Sequence, residues 1–359
     1  MDTPPSAASG VTATPEEEAA QTVVVALALP ALMIAPDERI SAINEKGVAL
    51  LGKQAGRHYI SSLRQPDLLE AIERCAATKA PQKTNYLSQQ GGQDATYIAN
   101  ASWFDLPPAK GVLVSFEDVS HLEHAGQMRR DFVANVSHEL RTPLTSLMGF
   151  IETLRGPARD DSEARARFLD IMQREAERME RLVKDLLSLN RVESEERVRP
   201  TSEVDLAALC RSVVHTMTPL ADSAGVTLVK DLPESLVAPA DEDQLRQVLT
   251  NLIENAVKYG GSGGEVVLRL QGSPREAAMR GPAAILSVSD KGPGIPLVHI
   301  PRLTERFYRV DSHRSRVVGG TGLGLAIVKH IINRHRGRLK IESTQGQGTC
   351  FTVILPLSV

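Results

Sequence analysis

Cysteine is scarce in this sequence. Cys75, Cys210 and Cys350 are the three cysteines among 359 residues, and no two of them form a Cys-x-x-Cys pair. This spacing argues against a disulfide framework and against a cysteine-rich zinc site. We interpret all three as small, reduced core residues, as expected of a protein in the cytosol.

An excess of positive charge is also lacking. The 41 Lys and Arg residues are outnumbered by 44 Asp and Glu residues, which gives a formal net charge of −3. A surface that coats nucleic acid needs a basic patch or stripe. The composition therefore predicts no direct nucleic-acid partner.

Long hydrophobic runs are missing as well. The most apolar stretch, residues 23–35, is interrupted by Pro30 and is shorter than the roughly 20 residues of a membrane-spanning helix. Glu16, Glu17 and Glu18 stand where a secretory signal carries Lys or Arg. We therefore expect no transmembrane segment in this chain and a cytoplasmic location, with any membrane association arising through a partner.

The hydrophobic pattern changes character along the chain, which predicts a multidomain α+β protein. Residues 1–21 are rich in Ala, Ser, Thr, Pro and Glu and are predicted to be a disordered lead-in. In residues 22–118 short apolar runs alternate with turn signals, which indicates a small α/β domain with an antiparallel sheet. Residues 119–194 are predicted to be a helical hairpin, 194–202 a charged linker and 203–359 an α/β sandwich.

Two helices with apolar stripes make up the predicted hairpin. Apolar residues recur in steps of four and three on both sides of a break at Gly156 and Pro157, after which Asp160, Asp161 and Ser162 are candidate capping residues. The stripes consist of Leu140, Leu144, Leu147, Ile151 and Leu154 before the break and of Leu169, Met172, Ala176, Met179, Val183 and Leu186 after it. One hairpin cannot bury so wide a seam, so we expect a homodimer that closes a four-helix bundle.

His138 lies on the first helix of this hairpin. Val136 and Leu140 stand two positions to either side, so at about 100° per residue His138 should point away from the apolar seam and be exposed. Glu139 can accept the Nδ1 proton and leave Nε2 as a nucleophile, while Thr142 follows one turn later on the same face. Taken alone, an exposed histidine on a helix is usually a solvated surface residue.

The residues around His138 have a family resemblance. The string Phe132-Val-Ala-Asn-Val-Ser-His-Glu-Leu-Arg-Thr-Pro-Leu-Thr closely resembles the H-box of bacterial sensor histidine kinases. The resemblance implies that His138 is phosphorylated and that Glu139 is its acid/base partner. It also implies that Thr142 aids hydrolysis of a phosphorylated response regulator, whose receiver domain would be the partner.

Two elements after residue 240 suit a nucleotide. On a predicted helix, Asn251, Asn255 and Lys258 share a face and Tyr259 follows. An amide oxygen can ligate Mg²⁺ and a lysine can meet phosphate, although an ordinary amphipathic helix is the alternative. The second element is Asp290-Lys-Gly-Pro-Gly-Ile, in which a carboxylate at a turn can accept a hydrogen bond from an adenine amino group.

Two further elements suit the phosphates. The stretch Arg306-Phe-Tyr-Arg-Val-Asp lies among Arg302, Arg314 and Arg316 and has the composition of a cationic lid, with a solvated charged face as the alternative. The run Gly319-Gly-Thr-Gly-Leu-Gly-Leu-Ala opens a helix whose N–H groups can hold phosphate. No P-loop is present, position 325 breaks the Gly-x-Gly-x-x-Gly pattern, and the protein-kinase His-Arg-Asp and Asp-Phe-Gly motifs are absent.

In order and content these four elements resemble the N, G1, F and G2 boxes of the histidine-kinase catalytic domain, which is related to the ATPases of gyrase and chaperones. The resemblance implies ATP as substrate and Mg²⁺ as cofactor, with Asn255 as the metal ligand. It also implies that Lys258 and Arg309 contact the phosphates and that Asp290 binds the adenine. Thr349 would lie near the adenine. The full implied nucleotide site consists of Asn251, Asn255, Lys258, Tyr259, Asp290, Gly292, Gly294, Ile295, Arg309, Gly320, Thr321, Gly322, Leu323, Gly324 and Thr349.

Two other functions compete with the kinase interpretation. The related hydrolases place a water-activating Glu four residues before the metal-binding Asn, whereas this chain has Asn251 there, which favours transfer to a side chain over release of phosphate. A non-catalytic adaptor that presents His138 to another kinase is the second alternative, against which the intact Asn255 and Asp290 count.

Residues 22–118, together with the exit Glu117-Asp-Val-Ser into the next helix, resemble a PAS sensor domain by pattern and position. Such a domain directly before the H-box is similar to the phosphate-limitation sensor kinases, except that the usual membrane spans are missing here. No sensory cofactor is predicted.

Overall fold

The structure is a computed structural model that describes residues 14–90, 93–310 and 320–358. It divides the chain into two compact units, Met1–Val133 and Ala134–Val359. Residues 1–13 of the predicted lead-in, Arg314 and Arg316 of the predicted lid, Gly319 and the last residue lie outside the described residues. Within the described ranges, no helix is both long enough and apolar enough to cross a bilayer.

A five-stranded antiparallel sheet forms the centre of the first unit. Its strands are β1 (Ala31–Ile34), β2 (Ile40–Ile43), β3 (Gln82–Gln90), β4 (Gln93–Leu106) and β5 (Ala109–Asp118). They are arranged side by side in the order β2-β1-β5-β4-β3. The first and last strands of the unit are therefore neighbours in space, since β1 pairs with β5.

Helices cover both faces of this sheet. They are α1 (Pro15–Val25), α2 (Glu45–Leu51), α3 (Tyr59–Ser62) and α4 (Pro66–Thr78). One core cluster joins Leu68 and Ile72 of α4 to Leu32 and Phe116 of the sheet. On the opposite face, α1 packs against Met33 and its neighbours.

Helix α1 corrects the prediction that residues 1–21 are disordered, for the part from residue 15 onwards. The backbone N–H of Glu17 donates to the Thr14 hydroxyl at 3.3 Å, and the backbone N–H of Thr14 donates to the Glu17 carboxylate at 2.8 Å. Pro15 occupies the first turn, where its missing N–H costs nothing. Ala20 and Val24 are buried against the sheet. The apolar face of α1 is too narrow to be noticed in so polar a segment.

The predicted helical hairpin is confirmed, and all of it from Ala134 onwards lies in the second unit. Helix α5 (Ser120–Arg155) and helix α6 (Ser162–Glu195) are joined by a short loop. Asp161 caps α6, because its carboxylate accepts hydrogen bonds from the backbone N–H groups of Glu163 and Ala164. Helix α6 continues through Ser194, where the predicted linker begins, so the connection to the next element is residues 196–202.

The predicted C-terminal α/β domain is also confirmed. Its helices are α7 (Leu206–Ser223), α8 (Glu242–Gly260) and α9 (Gly324–Arg334), with short 3₁₀ turns at Gly261–Gly263 and Leu297–Arg302. Its strands are β6 (Glu203–Asp205), β7 (Thr227–Asp231), β8 (Val237–Pro239), β9 (Glu265–Glu276), β10 (Gly281–Asp290), β11 (Arg338–Thr344) and β12 (Gly348–Pro356). The main sheet has the order β11-β12-β10-β9-β7, and β6 and β8 form a separate ribbon. Strand β7 runs parallel to β9, and the other pairs of the main sheet are antiparallel.

The helices of this domain bury their apolar faces against the sheet. Leu249 and Ile253 of α8, Ile331 of α9, Val288 of β10 and Phe351 of β12 are at most 4% exposed. The carboxyl end of β10 and the amino end of α9 thereby meet the face of α8 that carries the predicted polar residues. This meeting point is where the candidate site lies.

A buried histidine fixes the start of α8 relative to the end of α9. The Nδ1 atom of His335 lies 2.8 Å from the Ile331 carbonyl, and its Nε2 accepts a hydrogen bond from the backbone N–H of Asp241 at 3.0 Å. Burial lowers the pKa of His335, and the neighbouring Arg334 acts in the same direction. The side chain is therefore a neutral imidazole with the proton on Nδ1.

Candidate active site

A cavity of about 450 Å³ opens in the C-terminal domain beside α6. This volume lies within the usual range for sites of small ligands. Most of the residues implied by the family resemblance line it, namely Asn251, Asn255, Lys258, Tyr259, Asp290, Gly294, Ile295, Arg309, Gly320, Thr321, Gly322, Gly324 and Thr349. Gly292 and Leu323 are not among the lining residues: Gly292 lies against Gly260 and Asp290, and Leu323 is fully buried.

Asp290 ends β10 at one side of the cavity. Burial raises the pKa of its carboxyl group, while hydrogen bonds from the backbone N–H groups of Gly292 and Thr349 act in the opposite direction. The Gly292 bond measures 2.8 Å. The carboxylate thus keeps acceptor capacity toward the cavity, which is what an amino group on a purine ring requires.

Glycines make room for Asp290. A Cβ atom on Gly292 would lie 2.5 Å from the Gly260 Cα atom, and a Cβ on Gly260 would lie 2.3 Å from the Asp290 carboxyl carbon. Gly348 has φ of +106°, and a Cβ there would lie 2.0 Å from the Asp290 carbonyl oxygen. The close approach of α8 to the end of β10 therefore requires glycine, which has no side chain, at these three positions.

The polar face of α8 forms a second wall. The Asn251 amide donates to the Gly324 carbonyl at 3.3 Å and so ties α8 to the start of α9. Lys258 pairs with Glu254 at 3.2 Å, one turn earlier on the same face. Asn255 lies between them and also faces the cavity.

The residues of this wall fit Mg²⁺ bound together with phosphates. Asn251, Glu254 and Asn255 offer amide and carboxylate oxygens to one cavity. The described part of the chain contains no cluster of three or more His, Cys, Asp or Glu residues that could hold a metal by itself. Mg²⁺ is typically held by one or two protein oxygens plus substrate phosphates, which matches this donor set.

Residues 320–324, here called the Gly-rich loop, close the opposite end of the cavity. Gly322 has φ of +74°, and its carbonyl accepts a hydrogen bond from the Phe307 backbone N–H at 2.9 Å. A Cβ on Gly320 would lie 2.7 Å from the Tyr259 hydroxyl oxygen. Leu323 is fully buried and anchors the loop in the core just before α9 begins. The loop thus presents backbone N–H groups and a helix N-terminus, which together favour an anion.

Three cavity residues come from α6, and sequence reasoning missed them. Arg181, Lys184 and Asp185 line the cavity beside the nucleotide-binding residues. The Thr321 hydroxyl donates a hydrogen bond of 2.7 Å to the Asp185 carboxylate. No motif marks these residues, because they resemble the other charged positions of an amphipathic helix.

The predicted phospho-acceptor lies exposed on α5. The Thr142 hydroxyl donates to the His138 carbonyl at 3.2 Å, which keeps Thr142 one turn away on the same helix. The Glu139 carboxylate accepts a hydrogen bond of 2.8 Å from Arg178 on α6, and its role as acid/base partner of His138 stays a prediction.

Comparisons with known proteins fit both parts of this geometry. Residues 128–195 match the family described as His Kinase A (phospho-acceptor) domain. Residues 240–359 match the family described as Histidine kinase-, DNA gyrase B-, and HSP90-like ATPase. The chain belongs to the sensor histidine kinases.

Individual sensor histidine kinases show the extent of the similarity. The phosphate regulon sensor protein PhoR of Pseudomonas aeruginosa is 42% identical over 240 residues, which cover 67% of this chain and 53% of that protein. The sensor histidine kinase WalK of Bacillus subtilis is 33% identical over 336 residues, which cover 93% of this chain and 52% of that protein. This chain thus spans about half the length of these relatives.

A solved histidine kinase shares the fold. The kinase ThkA, in a crystal structure with the response regulator protein TrrA, covers 94% of this chain and 98% of its own, with a TM-score of 0.51 and 24% identity. At 24% identity this comparison shows the fold and carries no conclusion about catalytic residues.

Proposed function

We propose that this chain is an ATP-dependent protein-histidine kinase that phosphorylates its own His138 and passes the phosphoryl group to an aspartate on a response regulator receiver domain. The observation that supports it is the cavity beside α6, which gathers an acceptor for adenine, oxygen donors for a metal and a Gly-rich loop for phosphate. An exposed histidine on the neighbouring hairpin then provides the acceptor.

Nucleotide binding follows from the cavity walls. Asp290 accepts a hydrogen bond from the adenine amino group, and Tyr259 packs on the nucleotide. Lys258 exchanges Glu254 for a phosphate, and Arg309 meets a second one. With Asn255 as its ligand, Mg²⁺ would supply charge neutralisation at the phosphates.

Transfer is a displacement at the γ-phosphorus. The Nε2 lone pair of His138 forms the new P–N bond, the bond from phosphorus to the bridging oxygen breaks, and ADP leaves with that electron pair. The Nδ1 proton is then available to Glu139, whose carboxylate must first leave Arg178. Positioning and electrostatics contribute most of the rate, because phosphoryl transfer requires little covalent help from the protein.

The surface of the hairpin supports a homodimer and a receiver partner. Large apolar side chains on α5 and α6 are between 42% and 66% exposed in the single chain: Leu144, Met148, Ile151, Leu169, Val183 and Leu187. A four-helix bundle with a second copy would bury such a stripe. His138 stays accessible to a receiver domain, and Thr142 would orient water for the reverse phosphatase reaction.

The first unit is proposed to be a PAS-like sensor domain. The order β2-β1-β5-β4-β3 with helices α2 to α4 on one face supports this assignment. The closing strand β5 ends at Asp118, and α5 begins at Ser120.

Labelling distinguishes the kinase from its alternatives. The purified chain is incubated with γ-labelled ATP and Mg²⁺ beside His138→Ala and Asn255→Ala, with His121→Ala as the matched control on the same helix. We expect protein-bound label that is stable to alkali and labile to acid. The control His121→Ala should retain this label, and His138→Ala and Asn255→Ala should lose it. Release of phosphate with no labelled protein at any time would support the hydrolase. Bound ATP with neither label nor turnover would support the adaptor.

A further inference from the structure

Helix α6 places an anion at the phosphate end of the candidate nucleotide site. Asp185 lines the cavity, and its carboxylate accepts the 2.7 Å hydrogen bond from the Thr321 hydroxyl. That hydroxyl also accepts a bond of 3.3 Å from the Leu323 backbone N–H at the start of α9. Asp185 is therefore bonded to the same loop whose N–H groups and helix terminus favour phosphate.

The surroundings of Asp185 contain charges of both signs. Burial raises the pKa of its carboxyl group, the Thr321 hydrogen bond lowers it, and Glu254 raises it further. Lys258 and Arg181 act in the lowering direction. Lys258 therefore has carboxylates near it in place of the phosphate that the proposed function assigns to it.

Other contacts hold α6 in this position. At the acidic end of α6, Glu193 pairs with Arg306 at 2.6 Å. Glu196 accepts a hydrogen bond of 3.0 Å from Asn333 and lies 2.8 Å from Nδ1 of His330. The contacts of Glu196 join the end of the hairpin to α9, whose first turn follows the Gly-rich loop, and the contact of Glu193 joins it to the segment before that loop. Docking of α6 and the bond from Thr321 to Asp185 thus occur together.

We propose that Asp185 competes with nucleotide phosphate: while α6 is docked its carboxylate occupies the anion position at Thr321, and a triphosphate binds fully only when that carboxylate leaves. This inference rests on the proposed function, because it needs ATP in the cavity. Its consequence is that ATP binding and docking of α6 oppose each other. The loss of nucleotide affinity caused by the docked carboxylate should increase with the number of phosphates and should not depend on contacts to adenine.

The test compares nucleotides that differ in charge. Binding of ATP, ADP and adenosine to the full chain is measured by calorimetry at fixed salt, for the wild type and Asp185→Asn. Asparagine keeps the shape and can still accept from Thr321, so the substitution removes the charge alone. Asp170→Asn is the matched control, because Asp170 is an exposed carboxylate on the same helix that pairs with Arg174 and does not line the cavity.

The expected result for Asp185→Asn is a rise in ATP affinity of about 5- to 20-fold, at the lower end of the usual coupling between linked binding equilibria. The rise should be smaller for ADP and below about twofold for adenosine. A second variant, Glu193→Gln, loosens docking without touching the cavity. It should raise ATP affinity in the wild-type background and have little effect in the Asp185→Asn background, because both changes relieve the same competition.

Other outcomes overturn the inference. Equal changes for ATP and adenosine would show that Asp185 is only part of the wall. Weaker ATP binding in Asp185→Asn would show that the carboxylate assists the nucleotide. Failure of the wild-type chain to bind ATP would refute the proposed function itself, and the competition with it.

Discussion

The close approach of Gly292 to Gly260 gives the sharpest test of how the adenine end is built. We expect Gly292→Ala to weaken nucleotide binding although residue 292 does not line the cavity. The new Cβ would lie 2.5 Å from the Gly260 Cα atom and 2.9 Å from an Asp290 carboxylate oxygen. The first neighbour is backbone at the end of α8, so no side-chain rotation can relieve the overlap.

The size of the effect follows from these distances. Ordinary contact of a Cβ atom begins at 3.4 Å, so the two segments must separate by about 0.9 Å. Overpacking of this kind typically costs about 1–3 kcal/mol of folding free energy. Loss of one hydrogen bond to a charged acceptor costs about 1.5–3 kcal/mol, which corresponds to a roughly 10- to 150-fold weaker affinity for ATP.

Calorimetry of ATP binding measures the loss of affinity, and thermal unfolding of the same preparations measures the loss of folding free energy. Gly281→Ala is the control, because Gly281 begins the strand that Asp290 ends and a Cβ there would come no closer than 4.0 Å to its nearest neighbour. Wild-type affinity and an unchanged melting temperature for Gly292→Ala would refute the reasoning, because the backbone at Gly260 and Gly292 would then accommodate a methyl group without moving apart.

Two further predictions concern stability. The pKa of His335 lies below its unfolded value near 6.5, so the stability that this residue contributes is present above about pH 6.5 and is lost as the pH falls through the folded-state pKa. Urea unfolding between about pH 7.5 and pH 5.5 should show this loss in the wild type and less of it in His335→Asn, and equal slopes would contradict it. Gly149 lies exposed within α5, and apart from the neighbouring backbone of that helix no described atom would lie within 4 Å of a Cβ there, so Gly149→Ala should stabilise the hairpin by about 0.5–1 kcal/mol. A lower melting temperature for this variant would contradict the account.

Periodicity and capping predicted the helices of the second unit because they act locally. The break at Gly156 with Asp161 as cap placed the hairpin loop, and the apolar stripe placed both helices. The narrow apolar side of α1 gave no such signal, and a long polar-looking segment concealed a helix whose stability depends on packing against the sheet. Packing of this kind is a tertiary effect that a single segment cannot reveal.

Motifs predicted the part of the candidate site that lies within one domain. Asn255, Asp290 and the Gly-rich loop line one cavity, although some 70 residues separate the first from the last. The contribution of Asp185 could not be predicted, because it depends on how α6 packs against the loop. The pairing of Glu139 with Arg178 was missed for the same reason, since adjacency in sequence favoured His138.

The acidic end of α6 has a consequence for how this helix returns to the cavity. Pairs such as Glu193 with Arg306 are about one-third exposed, and partly exposed pairs contribute on the order of 0–1 kcal/mol each. Leu189 and Val192 of α6 are at most 2% exposed, so burial of apolar side chains adds to these pairs. Here only residues 196–202 separate α6 from the domain that it contacts, and a short tether gives an effective concentration on the order of millimolar. A contact of α6 that opens can therefore re-form within the same chain, without the binding of a second molecule.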